Sequence, residues 1–266
     1  MIKPQGKITE ILRDVRSGRN VSVFGLRKYA EWAVFSLFGK GVLIESDYVT
    51  AHEAYEFIRG LDDGAVFLPA DADSVGFSIE RFGDNDFART EAIARIADGA
   101  KLIVTYVEAA MQLYPKAELV REKTLKLAKG DECDPSALAA RLAAAGYRRT
   151  AQLDGKGQFA VRGDIIDVSP VGADDYYRIL VDFDVIGDIR RLDPEEQITA
   201  GRADEIFVAP VGDCYYSAEE GARALGEVKK EFSKLSADAA AHFSALYGEL
   251  EARVAAGRHD VPFLRP

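Results

Sequence analysis

The stretch "GQFAVRGDIIDVSP", residues 157–170, decides how this 266-residue chain is read. Two apolar runs, "QFAV" and "IIDV", flank an Arg-Gly-Asp triplet, and both have the β-branched and aromatic content of strands. Arg162-Gly163-Asp164 is open to three readings: an adhesion tag, a catalytic pair or a feature the fold requires. An adhesion tag needs an exposed loop on a secreted protein, and nothing in the sequence points to secretion. The strand-like flanks predict instead that Gly163 permits a bulge or a close backbone approach where two strands meet. Alternation then sends Asp164 and Asp167 to opposite faces unless a bulge resets the register.

Strand signals continue on both sides of this stretch. "GYRRTAQL" precedes it, and "YYRILVDFD", "IGDIRRLD" and "DEIFVAP" follow, with turn residues between them. One helix, 135–145, comes before these strands, so a unit beginning at about Thr124 reads as α+β. Further upstream, "VSVFG", "GVLIE", "AVFLP" and "KLIVTY" read as short apolar strands. They alternate with helical segments such as 51–61 and 87–97, which implies a parallel sheet. An amphipathic helix spans 8–18. Beyond Pro210 the pattern is helical again, with a capping box at Ser217 to Glu220. One apolar face there runs through Leu225, Val228, Phe232, Leu235, Phe243, Leu246, Leu250 and Val254. The domains expected are 1–123, 124–210 and 211–266.

A net charge of −10 makes the molecule repel polyphosphate as a whole, so nucleic acid is a poor primary ligand. Cys133 and Cys214, the two cysteines, lie far apart without a Cys/His quartet, which argues against a disulfide framework and a zinc site. The best apolar run, 32–44, is too short for a membrane span and carries Lys40. A cytoplasmic protein without metal, cofactor or membrane contact is expected. His52, His242 and His259 form no HExxH pattern or nucleophile elbow and read as surface residues, and no defensible acid/base pair emerges from the abundant carboxylates.

The first strand-to-helix turn is where a phosphate-binding loop would sit, and "GLRKYAEW" begins there with Gly25. Against G-x-x-x-x-G-K-[ST], the second glycine is Ala30, the lysine is Glu31 and the magnesium-binding hydroxyl is Trp32. A carboxylate at 31 repels a triphosphate. Arg27 and Lys28 lie where an anion could meet a helix N-terminus, but an ordinary connection without ligand is the expectation.

The run "GQFAVRGDIIDVSPVGADDYYRI", followed by "FDVIGDIRRLDPEEQ", resembles the second domain of bacterial transcription-repair coupling factors, a pattern shared by UvrB proteins. The likeness extends upstream through "KLIVTYVEAAMQLYPKAELVREKTLKLAKGDECDPSALAARLAAAGYRR", and the tail "EARVAAGRHDVPFLRP" is similar to the segment that returns to complete the first domain. The resemblance implies an α/β protein: an incomplete helicase-like (RecA-like) parallel-sheet domain, an inserted α+β domain and a C-terminal helical segment returning to the first. It implies docking of the insert onto the repair protein UvrA, and an N-terminal recruitment module of a coupling factor rather than an enzyme. Contacts with other domains of a full-length coupling factor follow, with RNA polymerase and DNA reached only through regions absent here. UvrB is the ATP-using relative. The losses at Ala30, Glu31 and Trp32, and the absence of an aromatic-rich DNA-clamping hairpin, favour the coupling factor. A UvrB-type ATP-dependent damaged-DNA-binding enzyme and a scaffold that has lost UvrA docking are the rivals.

The docking arginines that the resemblance implies are Arg162 and Arg178, with Phe183 as the aromatic beside them. An arginine's planar fork holds carboxylates bidentately, which suits such a patch. Pairing within the chain, with Asp164, Asp167 or Asp182, is the alternative. Alanine at either arginine is expected to leave the melting temperature nearly unchanged while weakening UvrA capture. Two departures bear on affinity. The family's "EFFGDEID" reads "LVDFDVIG", which puts Asp182 where an aromatic is expected and turns Phe183 to the other side, and Ser169 replaces a phenylalanine.

Overall fold

The computed structural model describes residues 6–71, 84–213 and 218–234, together with 244, 247–252, 254 and 255. The chain divides into two compact units, one formed by Met1–Asp71 with Arg95–Gln112 and the other by Ala72–Ala94 with Leu113–Pro266.

The first unit holds α1 (Lys7–Arg16), α2 (Lys28–Ser36), β1 (Gly41–Glu45), α3 (Tyr48–Arg59), β2 (Val66–Phe67), β3 (Leu102–Tyr106) and α5 (Val107–Ala110), with α4 (Asp84–Ala97) running into it from the second unit. Its three strands are parallel in the order β1-β3-β2, with Gly41 opposite Leu102 and Val66 opposite Ile103. Asp47 caps α3 by accepting from the Thr50 N–H, a bond that also holds the carboxyl below the usual range. The helix then buries Ala51, Ala54 and Ile58 at helical spacing, and the two alanines let it lie close to Leu102 and Val104 of the central strand. Trp32 and Phe35 of α2 close the same core.

The run "VSVFG" departs from expectation. Residues 21–25 pair with no strand among the described residues, and Phe24 is 90% exposed. Strand propensity is realised only through a neighbouring strand and a buried face, and here neither is present. Gly25 therefore does not follow a buried strand, although its positive φ of 79° does make the turn into α2.

The second unit holds α6 (Ala117–Lys123), β4 (Leu125–Ala128), α7 (Pro135–Ala144), β5 (Arg148–Arg149), β6 (Gln158–Arg162), β7 (Ile165–Ser169), β8 (Tyr176–Asp182), β9 (Val185–Leu192), β10 (Thr199–Ala203), β11 (Glu205–Val208) and α8 (Ala218–Phe232). Six strands form one sheet in the order β10-β9-β8-β7-β6-β5, antiparallel except where β5 joins β6. Two strands of this unit, β4 and β10, escape the sequence patterns. Asp134 caps α7 through the Ser136 and Ala137 N–H groups, and the helix buries Leu138 and Leu142 as it packs on β6 and β7. Ile166, Ile179 and Ile189 lie opposite one another across three strands and are wholly buried, giving the sheet its core face.

Chain ends of this α+β body meet through β4 and β11, which pair from Leu125 opposite Val208 to Ala128 opposite Glu205. Beyond them the Tyr147 hydroxyl, raised in pKa by its burial, donates to the Ala209 carbonyl at 2.7 Å. Arg89 of α4 reaches Asp213 at 3.0 Å, both side chains being 3% exposed, and lies over the Tyr114 ring. Leu225 of α8 packs with Leu250 and Val254, as the apolar face of the C-terminal helices predicts, while Ser217, Leu235, Phe243 and Leu246 lie outside the described residues.

Candidate partner-binding surface

Arg162 and Ile165 are opposed in the β6–β7 ladder, so Gly163-Asp164 is a two-residue hairpin turn and not a bulge. Gly163 takes φ 61°, the first-position requirement of a II′ turn, and no atom lies within 4 Å of where its Cβ would stand. The glycine thus serves the turn's dihedral and not a close approach. The Asp164 carbonyl accepts from the Val181 N–H, which ties this turn to β8.

The register places Asp167 directly opposite Arg178. Arg178 grips it with both arms of its fork, Nε to Oδ1 at 2.7 Å and Nη2 to Oδ2 at 2.9 Å, and this bonding raises the guanidinium's pKa. Arg162 comes to the same carboxylate more loosely, at 3.4 Å, and donates from Nη2 to the Ala151 carbonyl. The two arginines read from the sequence are thus brought together on one acid, Asp167 rather than Asp164 or Asp182. The acid is buried, while the Arg162 and Arg178 side chains remain 53% and 28% exposed. Internal pairing and an accessible surface coexist here.

Phe183 is 95% exposed at the tip of the β8–β9 hairpin. It belongs to neither face of the sheet, because Phe183 and Asp184 both have positive φ, 48° and 60°, as a I′ turn demands. That conformation is unfavourable for an aromatic residue and persists only where neighbours hold it. The neighbours are residues 130–133. The Cys133 N–H donates to the Asp184 carbonyl, Ile186 N–H to Asp131, Gly130 N–H to Ile186, and Glu132 bridges to Val185. Burial, then the Asp134 charge, pushes the Cys133 thiol up.

Ser169 lies in the interior. It is wholly buried, its hydroxyl donating to the Gly155 carbonyl at 2.6 Å, so its replacement of an aromatic alters packing and not the exposed surface. The sequence reading also missed a second cluster on β9 and β10. Asp188 accepts from Arg190 Nε at 2.9 Å and lies 3.6 Å from Arg202 Nε, and the Arg190 bond, aided by Arg202, holds its carboxyl below the usual range. Alternation in "GDIRRL" signals a two-faced strand, but which strand lies beside it was not legible.

Around the loop that departs from a phosphate-binding motif, Trp32 is 1% exposed and donates from Nε1 to Glu45 at 2.7 Å. Lys28 pairs with Glu53, which raises its pKa, and sits over the Trp32 ring. Ala30 and Glu31 face solvent. His52 is half-buried among Tyr48, Tyr55 and Phe67, a ring cluster and not a free surface, while His242, His259 and Cys214 lie outside the described residues. Among the described residues no group of three or more His, Cys, Asp or Glu suits a metal ion, and no helix is long and apolar enough to cross a membrane.

A profile described as the UvrB interaction domain matches residues 125–213, the body closed by β4 and β11. The transcription-repair-coupling factor of Bacillus subtilis is 28% identical over 155 residues, covering 56% of this chain and 13% of that protein. The Escherichia coli coupling factor is 26% identical over 174 residues, covering 65% of this chain and 15% of that protein. UvrABC system protein B of Thermotoga neapolitana is 30% identical over 114 residues, covering 43% of this chain and 17% of that protein. This chain therefore spans a small part of the length of these relatives. Residues 125–213 match the UvrB interaction domain, and the chain is similar to transcription-repair-coupling factors and to UvrB, consistent with the N-terminal UvrB-like region of a coupling factor.

Proposed function

We propose that this chain is a recruitment module of a transcription-repair coupling factor that captures UvrA through the sheet face carrying Arg162 and Arg178 and through Phe183 at the tip of the β8–β9 hairpin. The observation that carries the reading is the part-exposed arginine pair seated on the buried Asp167, with a fully exposed aromatic at the tip of the hairpin whose first strand carries Arg178. Asp167 fixes the two guanidinium planes in advance, so less rotamer entropy is lost when they meet carboxylates on a partner. Phe183 supplies the apolar anchor, and its exposure has no structural benefit to the monomer. The parallel-sheet unit is read as an incomplete helicase-like domain, residues 1–123, interrupted by 124–210 and completed by 211–266. Neither ATP nor a metal is assigned to it, because Glu31 and Trp32 stand where a phosphate-binding lysine and hydroxyl are needed. RNA polymerase and DNA contacts are left to other regions of a longer coupling factor, and the setting is cytoplasmic.

Titration calorimetry with UvrA from the same source tests the reading. Binding by the wild type that falls at least tenfold in Arg162→Ala and in Phe183→Ala is expected, and wild-type affinity in both variants refutes it. The relationship to UvrB keeps the ATP-dependent enzyme as a second reading. Measurable ATP affinity in the same calorimeter would establish it and sink the module.

A further inference from the structure

We infer that the docking face does not end at Arg178 but continues across β9 and β10 through Arg190 and Arg202, and that it takes a carboxylate-rich stretch of polypeptide. The register puts Asp167, Arg178, Arg190 and Arg202 directly opposite one another in four neighbouring strands. Residues opposed in this way point to the same side of the sheet, at about 4.8 Å per strand, so the row is about 14 Å long. Three guanidinium groups therefore stand side by side, and like charges directly opposite one another destabilise a sheet. A sequence selected for stability alone would alternate the signs. Asp188 relieves part of the repulsion by reaching Arg190 and Arg202, as Asp167 does for Arg178 and Arg162. Four arginines then share two carboxylates, an excess of positive charge on a chain whose net charge is −10. The exposure is graded outward, with the Arg178, Arg190 and Arg202 side chains 28%, 38% and 74% accessible.

A local rule broken in this way marks a surface with a partner. The interspersed acids and the half-buried Ile165 and Leu180, which pair with each other on the same face, argue for polypeptide and against a phosphate backbone, which needs uninterrupted positive charge. This inference rests on the UvrA reading for the identity of the partner but not for its chemistry, and the two are separable by experiment.

The arginine Nε–Hε signals of the full chain, followed by NMR, are titrated with poly-L-glutamate and separately with a double-stranded oligonucleotide. Shifts at Arg190 and Arg202 that saturate with polyglutamate are expected. Shifts with the oligonucleotide alone, or none at these two residues, overturn the inference. UvrA is then titrated against Arg202→Glu and Arg202→Gln, changes at the most exposed member of the row, with the melting temperature confirming the fold. An affinity about tenfold lower for Arg202→Glu, with a flatter salt dependence, is expected. Unchanged affinity and salt slope in that variant overturn the extended face even if Arg162→Ala loses binding. If the wild type ignores UvrA while polyglutamate still shifts Arg190 and Arg202, the UvrA reading falls and the acid-binding face stands.

Discussion

Arg178→Ala should destabilise the protein far more than a surface arginine's removal does, contrary to the expectation from the sequence that its melting temperature would hardly move, because Arg178 is bidentate on the buried Asp167. Alanine at a solvent-facing position changes stability by under about 0.5 kcal/mol, and that is the expectation for Arg162, whose side chain is 53% exposed. Arg178 differs because the carboxylate it grips has a side chain only 5% exposed. Removing one partner of a buried ion pair costs about 3–5 kcal/mol, since the other charge keeps its desolvation penalty without compensation. Two facts reduce that figure: Arg178 itself is 28% exposed, so water enters its place, and Arg162 remains 3.4 Å from Asp167. A loss of about 2 kcal/mol follows, which for a chain of this size lowers the melting temperature by roughly 4–8 °C. Thermal unfolding followed by circular dichroism reads it directly. The double variant Asp167→Leu/Arg178→Met, which removes both charges, should recover stability to within about 1 kcal/mol of the wild type. A melting temperature for Arg178→Ala within about 1 °C of the Arg162→Ala value, on the scale set by chain size, would refute the argument.

Other substitutions separate fold from function. Phe183→Asn relieves a left-handed aromatic at a I′ turn and should stabilise by about 0.5–1 kcal/mol in urea unfolding, while UvrA affinity falls. Gly146→Ala should cost about 2 kcal/mol by the same measurement, because φ is 90° and the new Cβ would meet the Val211 carbonyl oxygen at 3.0 Å. Arg89→Met leaves the Asp213 carboxylate in a site where burial already raises its pKa against the opposing pull of Arg89. A raised folded pKa means that the protonated form is favoured by folding, so the stability deficit of this variant should be largest at neutral pH. It should shrink as pH falls through the raised pKa, and a deficit independent of pH in urea titrations between neutrality and acid would contradict this.

How legible the molecule is from its residues depends on the range of the forces involved. Helices α1, α3 and α7 were readable because 3.6-residue periodicity and, for α1, the terminating Gly18 are local signals, while the start of α3 at Tyr48, behind the Asp47 cap, came from the structure. The strands around 157–192 were readable for a similar reason, since alternation and turn residues recur within a few positions. Local signals failed where a partner was needed. Residues 21–25 have strand composition but no neighbour, and β4 and β10 have weak composition but acquire strand geometry from β11 and β9. The Arg-Gly-Asp triplet illustrates both halves: its glycine announced a special backbone, but the choice between bulge and turn came from the pairing of Arg162 with Ile165.

By itself the sequence determined where helix α7 and strands β6 to β9 lie, the acidic balance, and which arginines and aromatic to suspect, because these are properties of residue type and near neighbours. Tertiary structure alone decided that Arg162 and Arg178 share Asp167, that Phe183 stands free at a hairpin tip, that Ser169 is interior, and that Arg190 and Arg202 extend the row. The physical reason is register. A shift of one residue between two strands exchanges the faces of every side chain, and that shift is set by the packing of Ile166, Ile179 and Ile189 across the whole sheet.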